Sequence, residues 1–416
     1  VALPARPVLA WALYDWANSA FAASVMAGFF PVFFKQYWAA DLAVADSTFW
    51  LGVVNSAASL VMVLSAPLLG AFADSSGCRR RFLLAFTALG ALATGALFLV
   101  VQGHWPAALL LYLAGLLGFS GGNLFYDALL VGVTSADHYD RVSALGYALG
   151  YLGGGLLFLF DLVLLARPQW FGLADPAEAV RWAFLGVACW WGLFSVPLFL
   201  QVPEPPALAQ GDWRAAARDA WARLARTFRH LNRYRPLVWF LVAYWLYIDG
   251  VDTVVRMAVD YGLALNFAAQ DLMLALLITQ FVGFPAALAF GRLGARWGPK
   301  RGIMLAIFVY LLVILWAWRM RSAAEFYGLA ALIGLVQGGI QALSRSLYAR
   351  LIPPRLSAEF FGFYNMLGKF AAVIGPLLVG GVALTGSGPR GSILSLALLF
   401  VLGAAVLWKV PEGRAT

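Results

Sequence analysis

The sequence predicts an all-α integral membrane protein, with twelve transmembrane helices arranged as two pseudo-symmetric six-helix bundles. Three observations carry that expectation. Hydrophobic residues make up 62% of the 416 and charged residues only 12%, about half the roughly 25% typical of soluble domains. The apolar residues fall in stretches close to the roughly 20 residues that one helix needs to cross a bilayer core. A glycine and arginine motif occurs twice, from Gly70 to Arg81 (GAFADSSGCRRR) and from Gly291 to Arg301 (GRLGARWGPKR), each time just after a long apolar segment. A motif duplicated in so apolar a chain indicates two membrane bundles of similar build.

The apolar stretches run over roughly 9–36, 50–73, 82–102, 106–135, 142–166, 180–201, 236–260, 270–292, 302–319, 325–349, 359–385 and 391–409, each about one bilayer crossing in length. They divide the chain into an N-terminal bundle over 1–202, a linker over 203–235 and a C-terminal bundle over 236–416. The first stretch is too long, and carries Asp15 too early, for the roughly 7 to 15 residue core of a cleaved signal sequence. It is expected to be a permanent span.

In each copy of the repeated motif, Gly70 or Gly291 is expected to leave the helix and Gly77 or Gly298 to permit a tight reversal. Arg79, Arg80 and Arg81 in the first copy, and Lys300 and Arg301 in the second, then hold the loop on the cytoplasmic side. The fifth span carries Gly146, Gly150, Gly153, Gly154 and Gly155, and its duplicate, the eleventh, carries Gly362, Gly368, Gly375, Pro376, Gly380 and Gly381. Small residues at helical spacing let helices approach closely, and Pro376 allows a bend.

Orientation follows from the basic residues in the short loops. One side holds Arg6, the Arg79 cluster, Arg141, the arginines from Arg214 to Arg235, Arg296, Lys300, Arg301, Arg350, Arg355 and Arg414. The other holds Arg167, Arg181, Arg319, Arg321 and Arg390. Basic loops stay cytoplasmic, so both termini are expected there. The formal charge of +9 is read as this asymmetry against an anionic leaflet, not as affinity for nucleic acid. Arginine is preferred to lysine, which occurs only as Lys35, Lys300, Lys369 and Lys409. That bias points to a GC-rich bacterial genome and hence to a multi-pass cell (inner) membrane protein.

The linker opens with Pro203, Pro205 and Pro206, which stop the preceding helix. Beyond it Trp213, Ala217, Trp221, Leu224, Phe228 and Leu231 form a helical stripe, with Arg214, Arg218, Arg223, Arg226, Arg229 and Arg233 around it. Such a basic amphipathic helix is expected to lie in the headgroup layer and tether the two halves.

Several classes are set aside on composition. Cys78, Cys189, His104, His138 and His230 are scattered and form no ligand-spaced set, so no metal is expected. GFYNMLGKF around Lys369 falls short of a phosphate loop, because no Ser or Thr follows the lysine. No clustered nucleophile and base is visible, so no enzyme and no cofactor are expected. A receptor or scaffold would need a polar docking unit, and none stands out.

Ionisable groups inside spans are costly and mark functional faces. They fall at Asp15, Asp127, Asp161, Asp249, Asp252, Arg256, Arg345 and Lys369. Asp249, Asp252 and Arg256 share one helix face, where Asp252 can pair with Arg256. Asn18 and Ser19 extend the face of Asp15, Asn123 and Tyr126 that of Asp127, and Gln337 and Gln341 that of Arg345. These groups are the candidate substrate-binding or coupling set. For Asp161, Asn55 and Gln280 a structural role is favoured.

The doubled loop motif resembles the signature between the second and third, and eighth and ninth, helices of the major facilitator superfamily. The first copy keeps its acidic residue, Asp74, whereas Ala295 stands there in the second. The opening from Trp11 to Lys35, the segment from Asp140 to Gly154, and Gln341 to Pro353 with Glu359 to Tyr364 are similar to the vacuole-effluxer-like family. That family includes autophagy-related fungal amino-acid effluxers and many bacterial members. The resemblance implies two bundles that rock about a central cavity lined mainly by spans one, four, seven and ten. It also implies that Gly70, Asp74, Gly77 and the Arg79 cluster form a latch, with Asp140 and Arg141 as partners and Gly291, Gly298, Lys300 and Arg301 as the second copy.

The function expected is secondary active transport of a small polar or zwitterionic solute, by analogy amino-acid efflux, with proton coupling through Asp15, Asp127 or Asp249. Arg345 is expected to bind a substrate carboxylate bidentately, with Lys369 as a second cation. The partners implied are a small-molecule substrate, the lipid bilayer and protons, in a monomer. The runner-up is a multispecific exporter of amphipathic drugs or lipids, toward which the 15% aromatic content points.

Overall fold

The protein is built almost wholly of helices, since every backbone N–H and C=O in a bilayer must be satisfied within the chain. The computed structural model describes residues 5–208, 213–229, 234–264, 269–370, 374–382 and 388–411. Within these, the side chains at 213, 214, 228, 256–264, 269, 270, 376, 380 and 388–390 lie outside the described residues. The expected Asp252–Arg256 pair is therefore outside them.

In the first half, α1 (Arg6–Trp38), α2 (Val44–Ser76), α3 (Arg79–Ala96), α4 (Trp105–Val133), α5 (Tyr139–Ala166) and α6 (Pro176–Gln201) follow one another. The linker carries α7 (Trp213–Arg229). The second half holds α8 (Arg235–Ala264), α9 (Ala269–Trp297), α10 (Pro299–Arg319), α11 (Ala323–Leu351), α12 (Ser357–Phe370), α13 (Ile374–Val382), α14 (Gly388–Leu394) and α15 (Leu396–Trp408). Among the described residues, eleven helices are long and apolar enough to cross a membrane. The expected stretch 359–385 falls on α12 and α13, with 371–373 and 383–385 outside the described residues.

Local sequence sets the ends of these helices. The Asp175 side chain accepts the Glu178 N–H at 2.8 Å, with Pro176 opening α6. Ser322 and Glu325 cap each other's backbone at the start of α11. Gly77 stops α2 at φ 65° and Gly298 precedes α10 at φ 89°, both in the left-handed region where a side chain is strained. The expectation that Gly70 and Gly291 leave their helices is overturned, since α2 runs on to Ser76 and α9 to Trp297. Their lack of a side chain serves helix crossing instead. A Cβ on Gly70 would lie 2.0 Å from the Ala358 carbonyl oxygen of α12, and one on Gly291 would lie 2.5 Å from Ala144 Cβ of α5.

Within the first bundle α1 packs on α5 and α6, and α4 on α3. In the second, α9 and α10 pack on α11, and α8 on α15. The bundles meet where α2 packs on α12, and where α5 packs on α9 and α11. Leu64, Leu92, Leu110 and Leu398 point outward and are exposed, as helices surrounded by lipid require. The basic ions of the repeated loops do equivalent work in the two bundles. Arg80 donates to the Phe199 and Val202 carbonyls at the end of α6, at 3.2 and 2.8 Å. Lys300 donates to the Trp408 and Val410 carbonyls at the end of α15, at 2.9 and 2.7 Å. Each cation thus caps the last helix of its own bundle, where carbonyls lack helical partners and the dipole is negative. Arg81, Arg141 and Arg301 are exposed.

Candidate functional site

Between the halves lies a cavity of about 400 Å³, lined by residues of α1, α4, α5, α8, α9, α11 and α12. Asp15, Asn18, Asn123, Tyr126, Asp127, Gln337, Gln341 and Arg345 all line it. Helical phase places them together: Asp15, Asn18 and Ser19 lie one turn apart on α1, Asn123, Tyr126 and Asp127 on α4, and Gln337, Gln341 and Arg345 at every fourth residue of α11. Asn18 Nδ2 donates to Asn123 Oδ1 at 2.6 Å, joining α1 to α4.

The floor of the cavity is an ion cluster. Arg345 Nη1 donates to Asp127 Oδ1 at 3.0 Å and lies 3.8 Å from Asp15 Oδ2. Tyr126 OH donates to Asp15 Oδ2 at 3.2 Å, and Asn365 Nδ2 to Asp127 Oδ2 at 3.4 Å. The other donors of Arg345 go to Ser143 of α5, Nε to its Oγ and Nη2 to its carbonyl, both at 2.9 Å. The guanidinium is 1% exposed, and its carbon lies 4.4 Å from the Tyr147 ring centroid, 4.9 Å from that of Trp11 and 5.2 Å from that of Tyr126. Arg345 is therefore engaged by protein on every side, and its fork is not offered to a substrate carboxylate in this conformation. With two carboxylates to one guanidinium, the floor carries an acidic excess and suits a positively charged group.

Glycines of α5 make room for this cluster. A Cβ on Gly146 would lie 2.6 Å from Tyr126 Oη and 3.1 Å from both Arg345 Nη2 and Asp15 Oδ2. One on Gly150 would lie 2.6 Å from Ser19 Oγ. The α5 glycines thus do more than pack helices.

Hydrogen bonds between the halves gather on the basic side of the floor. Asp74 of α2 accepts the Ala358 and Glu359 N–H groups at 3.2 and 2.9 Å, the free donors at the start of α12. Arg79 pairs with Asp74 at 2.6 Å and donates to the Arg355 carbonyl at 2.8 Å. Asp140 of α5 accepts from Ser346 at 2.5 Å and pairs with Arg350 at 2.6 Å, both on α11. Ser357 Oγ donates to the Ala128 carbonyl at 2.9 Å. The expected partnership of Asp140 with the Arg79 loop is thus replaced by an ion pair to α11, because α5 starts beside α11. The basic side is sealed, and the cavity rises from the cluster past Ala23 and Ala27 of α1 and Phe158 of α5.

Other candidates lie apart. Asp249 is buried and accepts the Ile374 and Gly375 N–H groups at 3.1 and 3.0 Å. It lies off the cavity wall, as do Asp252 and Lys369. Asp161 accepts from Ser24 at 2.6 Å, tying α5 to α1. Gln280, expected to be structural, lines the cavity, as do Tyr147, Tyr151, Tyr244, Thr279, Tyr364 and Asn365. Sequence reading passed over these tyrosines, although Tyr147 and Tyr151 stand one turn apart beside Gly146 and Gly150.

The model of the family described as vacuole effluxer Atg22 like matches residues 5–416. An uncharacterized MFS-type transporter of Bacillus subtilis (strain 168), YxiO, is 38% identical over 410 residues, which are 98% of this chain and 95% of that protein. Autophagy-related protein 22-1 of Penicillium rubens is 28% identical over 299 residues, 66% of this chain but 49% of its own. The match thus spans about half the length of that fungal relative. Among solved structures, the human organic anion transporter MFSD10 superposes with a TM-score of 0.73 at 17% identity, covering 97% of this chain and 99% of that one. The proton:xylose symporter XylE gives 0.70 at 13% identity, covering 99% and 96%. Both likenesses are of fold, that of the major facilitator superfamily, with twelve helices in two bundles.

Proposed function

Because the chain belongs to the vacuole effluxer Atg22-like family, we propose that it is a secondary active transporter that moves a small polar or zwitterionic solute by alternating access, in the direction of amino-acid efflux and with proton coupling. One observation carries this reading: Asp15, Asp127 and Arg345, drawn from α1, α4 and α11, share the floor of a cavity at the seam of the two bundles. Intramembrane charge held at the junction of two moving bodies is what a solute pathway requires. The acidic excess favours a solute with an amine, which meets Asp15 first. A carboxylate whose hydration and distance from a cation change as the bundles rock also changes its proton occupancy. By the positive-inside rule the sealed basic side faces the cytoplasm, with both termini there.

The test is amino-acid transport by the purified protein in liposomes under an imposed pH gradient, with Asp15→Asn and Asp127→Asn beside wild type. Loss of pH-driven transport in either variant supports the reading. Unchanged pH-driven transport in both removes these residues from coupling.

A second reading, export of amphipathic cations, is favoured by an apolar annex. Val255, Leu276, Thr279 and Gln337 line both the polar cavity and a hollow of about 80 Å³ walled by Val313, Met320, Phe326 and Leu329. Stabilisation by lipophilic cations with none by amino acids, in a thermal-shift screen of both, selects this alternative.

A further inference from the structure

The linker helix α7 has two working faces. Ala216, Ala220, Arg223 and Thr227, at helical spacing, turn to the protein, and α7 packs on α2. Ser75 Oγ donates to Asp219 Oδ2 at 3.1 Å, and Arg223 Nη2 donates to the Ala71 carbonyl at 3.1 Å and to Ser75 Oγ. Farther along, Thr227 Oγ1 donates to Glu359 Oε1 at 2.7 Å. Ala71 and Ser75 belong to the first bundle and Glu359 to the second, so α7 is fastened to both sides of the seam. The fastening lies beside Asp74, which caps α12 through the Glu359 N–H at 2.9 Å. Glu359 is fully buried, and its Oε2, like Arg223 Nε, has no hydrogen-bond partner among the described residues.

The opposite face carries Arg218, Trp221, Arg226 and Arg229, all exposed, with Trp221 at 65%. At 100° per residue Arg218 and Arg229 point nearly the same way, with Trp221 on one flank of them and Arg226 on the other, so this broad side of α7 carries three guanidinium groups and an indole. The helix sits at the basic ends of α2 and α12, where the apolar spans stop. Guanidinium groups pair with phosphate oxygens, and an indole prefers the boundary between headgroup and acyl chain. The charge, the aromatic anchor and the depth together match an anionic lipid surface.

We propose that α7 is a lipid-sensing clasp: anionic phospholipid headgroups bind its Arg218, Trp221, Arg226 and Arg229 face, press its inner face onto α2 and Glu359, and so favour the sealed basic side. The outer face supplies affinity, and the Thr227–Glu359 bond transmits it to α12. When the basic side opens, α2 and α12 part, and α7 keeps only one of its two attachments.

Hydrogen–deuterium exchange of the full chain tests this, in nanodiscs of phosphatidylcholine alone or mixed with phosphatidylglycerol. With phosphatidylglycerol, residues 213–229 and the start of α12 are expected to exchange about tenfold more slowly, the scale set by a few arginines at an anionic surface. Raising salt weakens the response, because these charges face water. Arg218→Gln combined with Arg229→Gln, both exposed positions, abolishes the response while leaving thermal stability in phosphatidylcholine unchanged. Thr227→Val keeps the response of α7 and removes that of α12. Equal exchange of the wild type in both lipids overturns the proposal, as does an undiminished response in the double variant. Inorganic phosphate added to phosphatidylcholine nanodiscs is expected to leave exchange unchanged, and equal protection by it would overturn the membrane as the ligand's source. A start of α12 that still follows α7 in Thr227→Val overturns the clasp. The readout is exchange, so it stands apart from the identity of the solute.

Discussion

Asp127 of α4 and Arg345 of α11 meet at 3.0 Å across the seam between the two bundles, so a buried ion pair joins one body to the other. Neither charge has water enough to stand alone, with Arg345 1% exposed. Removing one member of such a pair costs about 3–5 kcal/mol, because the other is left buried and uncompensated. Arg345→Ala is expected to lower the melting temperature in detergent by several degrees. Arg345→Lys recovers little of the loss, since a single ammonium does not reach Asp127, Ser143 Oγ and the Ser143 carbonyl in the geometry of the planar fork.

Asp249 ties α8 to the backbone of α13. Its oxygens hold the Ile374 and Gly375 N–H groups at 3.1 and 3.0 Å, and Asn at this position offers one acceptor in place of two. Asp249→Asn is expected to cost about 1–3 kcal/mol for the unsatisfied donor, read by thermal unfolding. The pH profile of transport stays as in wild type. A shifted profile with unchanged stability would return Asp249 to the coupling path.

The α5 glycines give a steric prediction. Gly146→Ala places a methyl against Tyr126 Oη, Arg345 Nη2 and Asp15 Oδ2, and overpacking of this kind costs about 1–3 kcal/mol. Transport falls sharply as the cluster is pushed apart. Gly52→Ala, with nothing within 4 Å, is the silent control in the same uptake assay.

Gly70 tests the seal on the basic side. A Cβ there would lie 2.0 Å from the Ala358 carbonyl oxygen and 2.5 Å from its carbon, both backbone atoms that have no rotamer to yield. Gly70→Ala is expected to drive α2 from α12 and shift the population toward the state open on the basic side. Electron–electron distance measurements between spin labels at Arg81→Cys and Arg355→Cys, with Cys78→Ser and Cys189→Ser removing the free cysteines, show a longer separation. An unchanged distance removes Gly70 from the seal.

Asp140→Asn tests the other attachment, the 2.6 Å pair with Arg350. Its loss leaves Arg350 without this carboxylate and weakens the contact of α5 with α11. The same label pair is expected to report a broader distance distribution, with a smaller displacement than in Gly70→Ala because Asp74 still caps α12.

Much of the site was legible from residue spacing. Asp15 with Asn18, Asn123 with Asp127, and Gln337 with Gln341 and Arg345 share helix faces by their intervals alone, and each set lines the cavity. Asp249 carried the same signal and lies elsewhere, because an intramembrane acid satisfies backbone donors as readily as it serves a solute. Tyr147, Tyr151, Tyr244 and Tyr364 gave the weaker signal of a residue that is apolar along most of its length. In α7 the stripe through Trp221 was visible. The buried side through Ala216, Ala220 and Thr227 was not, because these residues are small and Arg223 among them reads as part of the charged face.

By itself the sequence determined the membrane-spanning class, the duplicated bundles and the small set of charges that lipid cannot accept. Those are consequences of composition and of the helical repeat, which every residue reports locally. Only the tertiary structure decided which charges meet, that Arg345 is turned to Ser143 and Asp127, that Gly70 and Gly291 are crossing points inside helices, and that α7 is fastened through Arg223 to Ala71 and through Thr227 to Glu359. Periodicity states which side chains share a face of a helix. What stands opposite that face depends on close approach between helices far apart in the chain, and no interval within one helix encodes it.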